Sequence, residues 1–274
     1  MIKTNQPRKI VIMGITSDIA TGLTRLFVED GWDVKGTSRL KLTLQDSSQA
    51  VYLNITNDRS FEENLDNLQN QIKEWDAIVF AVGSMLPIGK FFDLDFKDVE
   101  NSMFLNLIGP MKVLHRLWGK RNSSSRCNVF FFAGGGTNGT FDNYLAYALS
   151  KISCIKLVEL LSSEYQDVGF FSIGTGYVKT KIHQETTEAD LQAGSNLLKT
   201  RELLKTDGTS IKQIYDVIRW CIHNSALASG RNFSVRDDFK LFSKDSNTLV
   251  DIITTRPDSF KLRRDSNNWR NEND

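Results

Sequence analysis

Short runs of apolar residues alternate along the chain with longer segments in which apolar residues recur every three or four positions. Continuous apolar runs of about four to eight residues are typical of strands buried on both faces of a parallel sheet. Recurrence at the helical period predicts amphipathic helices. The predicted strands are residues 9–13, 32–37, 50–53, 77–82, 128–133, 170–173 and 233–235. The predicted helices are residues 19–30, 61–75, 99–119 and 144–165.

This alternation predicts the fold class. Strands separated by helices form right-handed crossovers, and a chain of such units builds a doubly wound parallel sheet. The 274 residues contain no Gly/Ser tract and no internal repeat that would separate two units. We therefore expect an α/β protein, with residues 1–274 forming a single Rossmann-like doubly wound domain and a parallel sheet of about seven strands. The polar segment 180–210 interrupts the alternation, and the tail after about residue 256 is expected to wrap the surface.

Composition excludes several classes of partner. The chain has 34 Lys and Arg residues against 33 Asp and Glu residues, so it has no strong net field to attract nucleic acid or an anionic membrane. Its three cysteines are too few for a disulfide framework. The polar N-terminus lacks the apolar run of a signal peptide, and we expect a cytoplasmic protein. The three histidines are far apart in the sequence, and no metal site is predicted.

The turn after the first predicted strand is a candidate phosphate site. It contains Gly14, Thr16, Ser17, Asp18 and Ile19, and it leads into a helix. In dinucleotide-binding folds, such a turn directs backbone amides at a helix N-terminus toward a pyrophosphate. Only the first of the usual three glycines is present. An ordinary strand–turn–helix, with Ser17 or Asp18 capping the helix, therefore stays open as an alternative.

The end of the second predicted strand indicates which dinucleotide would bind. NAD sites usually have an acidic residue here, whereas an arginine nearby accommodates the extra phosphate of NADP. The chain has Ser38 and Arg39 at this point and no acid. A guanidinium group suits a planar phosphate contact, so NADP is favoured over NAD. The alternative is that Arg39 is a solvated surface residue.

Tyr147 and Lys151 are a candidate catalytic pair. They lie four residues apart on a predicted helix, one above the other. A tyrosine has a pKa near 10 and is a poor acid or base at neutral pH. A neighbouring ammonium group favours the phenolate, so Lys151 is expected to lower the pKa of Tyr147. The alternative is an ordinary pair on a helix surface.

These motifs, taken in order, resemble the short-chain dehydrogenase/reductase family over residues 8–240. The resemblance rests on the turn at Gly14, Ala81-Val82-Gly83, Asn106, the pair Tyr147/Lys151, and Gly176-Tyr177-Val178-Lys179-Thr180. It implies a single Rossmann-like domain that assembles as a homodimer or homotetramer. It also implies a small-molecule substrate with a carbonyl or alcohol group.

The resemblance further implies residue roles. Tyr147 would exchange a proton with the substrate oxygen, Lys151 would bind the nicotinamide ribose, and Asn106 would hold a water molecule. Asn54 would lie beside the adenine, and Thr180 would contact the nicotinamide amide. Together with the phosphate turn and Arg39, the expected cofactor-binding residues are Gly14, Thr16, Ser17, Asp18, Ile19, Ser38, Arg39, Asn54, Ala81, Gly83, Tyr147, Lys151, Val178 and Thr180.

One position departs from the family. Its members have a serine 13 or 14 residues before the tyrosine, which donates a hydrogen bond to the reacting carbonyl. Ala133 and Gly134 occupy these positions here. Loss of such a donor costs about 100- to 1000-fold in rate. Either Thr137, Asn138 or a backbone amide replaces it, or catalysis has been lost.

We therefore expect an NADP-dependent oxidoreductase that interconverts a carbonyl and an alcohol. Residues 181–186 and 262–264 resemble bacterial members associated with surface-polysaccharide sugar metabolism, so a sugar, phosphorylated or nucleotide-linked, is the expected substrate. Its contacts would be Gly134, Thr137, Tyr177 and His183, the last in a lid over residues 180–210. The alternative from another class is a non-catalytic NADP(H)-binding sensor or scaffold. A sugar epimerase fits less well.

Overall fold

A computed structural model describes residues 7–40, 50–243 and 247–263 of the chain. Within these ranges, seven parallel strands form one sheet in the order β3-β2-β1-β4-β5-β6-β7. The sheet confirms the predicted fold class, a Rossmann-like doubly wound α/β fold. The strands are β1 Lys9–Met13, β2 Asp33–Ser38, β3 Ala50–Tyr52, β4 Ala77–Phe80, β5 Asn128–Ala133, β6 Gly169–Gly174 and β7 Arg231–Ser234.

Helices cover both faces of this sheet. In the described ranges they are α1 Asp18–Glu29, α2 Arg59–Gln71, α3 Phe96–Met103, α4 Gly109–Leu117, α5 Leu145–Glu164, α6 Ile182–Ala189, α7 Ser195–Leu203, α8 Ile211–His223, α9 Ser225–Ala228, α10 Val235–Ser243 and α11 Asn247–Thr255. Successive side chains of a strand point to opposite faces. In β1, Val11 and Met13 therefore pack with α2, α4 and α5, whereas Ile10 and Ile12 pack with α1 and α8.

Four regions differ from the predicted elements. The predicted helix over 99–119 is interrupted, because Phe104–Ile108 forms a π-helical turn between α3 and α4. The polar segment 180–210 contains α6 and α7. Helix α8 was not predicted, although its buried residues recur at helical spacing. Helices α10 and α11, at Val235–Ser243 and Asn247–Thr255, were not predicted either.

A buried arginine attaches the segment after α11 to the sheet. The Arg231 guanidinium donates to the carbonyl oxygens of Leu227 (2.9 Å), Ser229 (3.1 Å) and Pro257 (3.1 Å). Burial lowers its pKa. The segment after residue 256 thus lies against the fold as far as the structure describes it, and Arg264 lies outside the described residues. No helix within the described ranges is both long and apolar enough to span a lipid bilayer.

Candidate active site

The expected site residues follow the carboxyl ends of neighbouring strands. Gly14 follows β1, Arg39 follows β2, Asn54 follows β3, Gly83 follows β4 and Gly134 follows β5. Because the strands are parallel, these positions share one edge of the sheet. In open α/β sheets this is the edge at which ligands bind.

The turn after β1 requires glycine at its first position. Gly14 has a φ of 79°, in the left-handed region. A Cβ atom there would lie 2.8 Å from Cγ1 of Val82, so a side chain would collide with the segment after β4. The Gly14 amide donates to Oγ1 of Thr37 at 3.1 Å. The ends of β1, β2 and β4 can therefore approach one another closely because Gly14 has no side chain.

Ser17 caps helix α1, as one of the open alternatives predicted. Its hydroxyl accepts a hydrogen bond from the Ala20 amide (3.3 Å) and donates to the Ala81 carbonyl (3.2 Å). Capping and phosphate binding are compatible, because a helix N-terminus offers several unpaired amides. Thr16 is exposed beside the cap, and Ile19 is half-buried. The capped turn is thus compatible with the predicted phosphate site.

Asp18 connects this turn to the segment after β6. Its Oδ2 accepts a hydrogen bond from the Lys181 amide at 2.8 Å, and its Oδ1 lies 3.8 Å from the Lys181 ammonium. A carboxylate in the first turn of a helix is stabilised by the helix dipole. The aspartate that replaces a family glycine therefore has a structural contact across 163 residues of sequence.

The ends of β2 and β3 meet beside this turn. Ser38 is buried, accepts a hydrogen bond from the Leu40 amide (3.0 Å), and through its carbonyl binds the Leu53 amide (2.8 Å). Arg39, directly after it, is exposed at the same edge. Asn54 is half-buried after β3. The three residues expected beside the adenosine half of a dinucleotide thus lie on adjoining loops.

Gly83, Asn106 and Lys151 converge below the end of β4. A Cβ atom on Gly83 would lie 3.0 Å from Oδ1 of Asn106 and 3.4 Å from the Lys151 ammonium. Lys151 is buried, and burial lowers its pKa. A side chain at position 83 would cover the Lys151 ammonium, so access to the ammonium from this side depends on glycine. The structure therefore brings together three residues that the sequence analysis assigned to one site.

Asn106 lies in the π-helical turn, which is a common form of helix distortion at functional sites. Its side chain binds the backbone of Ser84, accepting from the amide (3.1 Å) and donating to the carbonyl (2.9 Å). Its own carbonyl accepts a hydrogen bond from Sγ of Cys154 at 3.7 Å. The side chain thus holds the loop after β4, a contact that the expected water-binding role did not include.

Tyr147 lies one helical turn before Lys151, with the Lys151 ammonium 5.8 Å from the centre of its ring. Its hydroxyl group lies against Gly134, where an added Cβ atom would be 2.5 Å from the oxygen. Thr137 does not face this hydroxyl as a donor, because its own hydroxyl donates to the Gly134 carbonyl at 3.3 Å. The end of β5 and the catalytic helix α5 therefore meet at Gly134 and Tyr147.

The electrostatics of Tyr147 differ from the sequence-based expectation. Burial, the Glu185 carboxylate and Cys154 raise its pKa to about 12. Lys151 was expected to lower this pKa, whereas the net shift is in the opposite direction. The lysine is itself buried, and burial disfavours its charged form. Tyr147 consequently carries its proton at neutral pH, the form that can donate to a substrate oxygen.

Val178, Tyr177 and His183 form a second group after β6. The rings of Tyr177 and His183 are 4.6 Å apart, and Nε2 of His183 lies 3.0 Å from the Val178 carbonyl oxygen. Burial lowers the pKa of His183. The Thr180 carbonyl accepts a hydrogen bond from the His183 amide at 3.2 Å. This group joins the expected nicotinamide contacts to the start of α6.

Glu185 and Ser84 were not among the predicted site residues. Glu185, on α6, accepts hydrogen bonds from the Ser84 hydroxyl (3.0 Å) and the Met85 amide (2.6 Å). Burial raises its pKa, against the opposing effects of these donors and of Arg39. No local pattern marks Glu185, because it is one acid among several in a polar segment. Its partners lie about 100 residues away in sequence.

A cavity of about 870 Å³ adjoins Glu185. It lies between the loop after β4, α3 and α6. Its lining is rich in carboxylates and contains neither lysine nor arginine, its acidic members being Asp58, Asp93, Asp95, Asp98, Glu185 and Glu188. Among the residues that the structure describes, no group of three or more His, Cys, Asp or Glu residues is arranged to hold a metal ion.

Comparison with known proteins places the chain in a family. A family model described as enoyl-(acyl carrier protein) reductase matches residues 14–234. A curated relative, serine 3-dehydrogenase from Agrobacterium fabrum (strain C58 / ATCC 33970), is 27% identical over 115 residues. The match covers 39% of this chain, and the chain spans about half (46%) of the length of that relative.

Solved structures share the fold. Aldohexose dehydrogenase from Thermoplasma acidophilum, in ligand-free form, has a TM-score of 0.68 and 14% identity, and the match covers 84% of this chain and 92% of that chain. A short-chain dehydrogenase from Shigella flexneri 2a strain 301, complexed with NADP, has a TM-score of 0.70 and 17% identity, with coverage of 84% and 97%. With the family match over residues 14–234, these findings show that the chain belongs to the short-chain dehydrogenase/reductase family.

Proposed function

We propose that this protein is an NADP-dependent oxidoreductase that interconverts a carbonyl and an alcohol on a sugar or sugar-derived substrate. The observation that carries the proposal is the convergence of Asn106 and Lys151 beside Gly83, with the Lys151 ammonium 5.8 Å from the ring centre of Tyr147. A phenol, an ammonium group and an open backbone edge meet there at the ligand-binding end of a doubly wound sheet. General acid catalysis requires such a positioned proton donor.

The residues present fit a dinucleotide. Gly14 and Gly83 allow close backbone approach at the α1 N-terminus and at Lys151, where a Cβ atom would lie 2.8 Å from Val82 and 3.0 Å from Asn106. Amides at the start of α1 would bind the pyrophosphate, and Arg39 would bind the 2′-phosphate of NADP. Asn54 and Val178 would contact the adenine and the nicotinamide. When bound there, NADPH supplies the hydride that adds to the carbonyl carbon.

The chain's own residues hold and move the proton. Tyr147 retains its proton up to high pH, since burial and Glu185 raise its pKa to about 12. Its hydroxyl donates this proton to the carbonyl oxygen as the alcohol forms. Lys151 would bind the nicotinamide ribose through its ammonium group. Asn106 holds the Ser84 backbone, and through it the loop that borders the site.

The substrate class rests on polarity. Two similar proteins are an aldohexose dehydrogenase and a serine 3-dehydrogenase, and aldohexoses and serine are small polar hydroxyl compounds. The carboxylates around the adjacent cavity would repel a phosphate group. We therefore favour an uncharged sugar or sugar derivative over the phosphorylated or nucleotide-linked sugar that the sequence suggested. The lid over residues 180–210 would close on this substrate through Glu185 and His183.

The second candidate is a non-catalytic NADP(H)-binding sensor or scaffold. The observation in its favour is the absence of a serine hydroxyl at Ala133 and Gly134. One experiment separates the two candidates. NADPH fluorescence measures cofactor binding, and NADPH consumption is then followed with a panel of aldoses, ketoses, hydroxy acids and amino-acid-derived aldehydes. Turnover with any of them supports the oxidoreductase, whereas binding without turnover supports the sensor.

We propose that the protein assembles as a homodimer or homotetramer through α5. Apolar residues lie on all sides of this helix, and such a helix is usually buried all round. Leu149 and Leu160 are nevertheless about half exposed in the single chain. Light scattering after gel filtration tests this, and a monomeric mass would contradict it.

The three buried free cysteines fit the cytoplasm, which remains our expectation for the location.

A further inference from the structure

We propose that Gly134 is the positioning residue for Tyr147. The tyrosine hydroxyl occupies the space that the side chain of the family's serine would need, so at this place the tyrosine hydroxyl stands where two hydroxyls would stand in the family. This inference rests on the proposed function, since it assigns Tyr147 to proton transfer. It also explains the departure at position 134 as a requirement of this site rather than as a loss of activity.

The evidence is the distance between the end of β5 and the tyrosine. A Cβ atom on Gly134 would lie 2.5 Å from the hydroxyl oxygen of Tyr147, 2.7 Å from Cζ and 2.8 Å from Cε1. Ordinary van der Waals contacts of a Cβ atom begin at about 3.4 Å. Three adjoining atoms of the rigid phenol group are therefore too close to an added Cβ atom. A side chain at position 134 could be accommodated only if the whole phenol group moved.

The tyrosine ring has neighbours on other sides. It packs in an apolar cluster with Tyr144, Met85 and Phe141, the last with ring centres 6.2 Å apart. Relief of the contact at Gly134 requires the hydroxyl to move by roughly 1 Å. A displacement of about 1 Å at a reacting group costs on the order of 100-fold in rate. The absence of a side chain at position 134 therefore fixes the place from which Tyr147 can donate its proton.

The backbone does not explain the glycine. The φ of Gly134 lies outside the left-handed region, so alanine or serine would meet no conformational penalty there. Ala133 is buried at the end of β5. Thr137 donates to the Gly134 carbonyl and is not free to replace the serine. The hydroxyl of Tyr147 is thus a donor in contact with this turn, and its one proton is both the hydrogen bond to the substrate oxygen and the proton that is transferred.

The test is to restore the family's hydroxyl. Gly134→Ser and Gly134→Ala are expected to lower kcat by about 100-fold, while the KM for substrate and the Kd for NADPH stay within about twofold. The matched control is Gly139→Ala in the same loop, where a Cβ atom meets no atom within 4 Å. It should leave all three constants unchanged. A kcat for Gly134→Ser that equals or exceeds that of the unaltered enzyme would overturn the proposal.

A second measurement does not depend on turnover. Gly134→Ala should lower Tm by several degrees in the unaltered protein, because overpacking strains the core. In a Tyr147→Ala background it should not, since the opposing ring is gone, and this double-mutant cycle isolates the contact. An equal loss of Tm in both backgrounds would refute the contact. If the unaltered protein turns over no substrate, the proposed function fails, whereas the cycle still decides whether Gly134 positions Tyr147.

Discussion

The Glu185 carboxylate accepts a hydrogen bond from the Ser84 hydroxyl at 3.0 Å, although 101 residues separate the two in sequence. Ser84 is also the residue whose backbone the Asn106 side chain binds. Ser84 therefore connects the Glu185 carboxylate of α6 to Asn106 in the π-helical turn. The hydrogen-bond partners of Glu185 are neutral, and its negative charge raises the pKa of Tyr147.

The first prediction concerns this charge. Glu185→Gln removes a negative neighbour that disfavours the phenolate, so the pKa of Tyr147 should fall below its present value of about 12. The alkaline limb of the pH profile of kcat for carbonyl reduction should then move to lower pH by about one pH unit. Glu188→Gln, which removes an exposed carboxylate from the same helix, is the control. Identical profiles for both variants would contradict the charge effect.

The second prediction separates chemistry from binding. Tyr147→Phe removes the proton donor and keeps the ring, so turnover should fall by at least about 100-fold while NADPH affinity stays nearly unchanged. Lys151→Ala should weaken both, because its ammonium is expected to serve the ribose and the phenol. Tyr165→Phe, at an exposed position, controls for the loss of a hydroxyl. Turnover retained in Tyr147→Phe would show that another group supplies the proton.

The sheet was predictable because buried parallel strands have an unmistakable pattern. The run at 128–133 coincides with β5, and that at 9–13 with β1. Helix α8 carried a usable signal too, since Ile214, Val217 and Ile218 recur on one face. It follows directly on the polar segment 180–210, which interrupts the alternation of strands and helices. Attention to the capping pair Ser210 and Gln213 would have located its start.

The contacts of the site were less predictable, for a physical reason. Sequence spacing showed that no serine lies 13 or 14 residues before Tyr147. It did not show that the Tyr147 hydroxyl fills the space beside Gly134. It predicted that Lys151 lowers the pKa of Tyr147, whereas burial raises that pKa. It gave no reason to select Glu185 among neighbouring acids. Each of these properties depends on which distant segments pack together, and local patterns carry no information about that. The assigned roles of the site residues stay predictions.

The third prediction concerns cofactor choice. Arg39 is exposed at the end of β2, where it can reach a ribose phosphate. Charged hydrogen bonds contribute about 1.5–3 kcal/mol, so NADPH should bind about 10- to 100-fold more tightly than NADH. Arg39→Ala should remove most of that difference and leave NADH affinity nearly constant. Fluorescence titration with both cofactors measures it, with the exposed Arg25→Ala as control. Equal affinities in the unaltered protein would refute the assignment.

The fourth prediction concerns stability. Arg231→Ala leaves the carbonyls of Leu227, Ser229 and Pro257 without their donor and opens a gap between β7 and the segment after α11. Unsatisfied buried acceptors cost about 1–3 kcal/mol each, and water will reach some of them. The free energy of unfolding should therefore fall by about 2–4 kcal/mol.

Urea denaturation measures this loss of stability. Arg236→Ala is the matched control, because the Arg236 side chain is 71% exposed and pairs only with its neighbour Asp237 among the contacts described. Its removal should change the free energy of unfolding by less than about 1 kcal/mol. NADPH affinity should be preserved in Arg231→Ala, since the arginine lies outside the proposed cofactor contacts. If both variants unfold at the same urea concentration as the unaltered protein, the three carbonyl contacts do not hold the C-terminal segment in place.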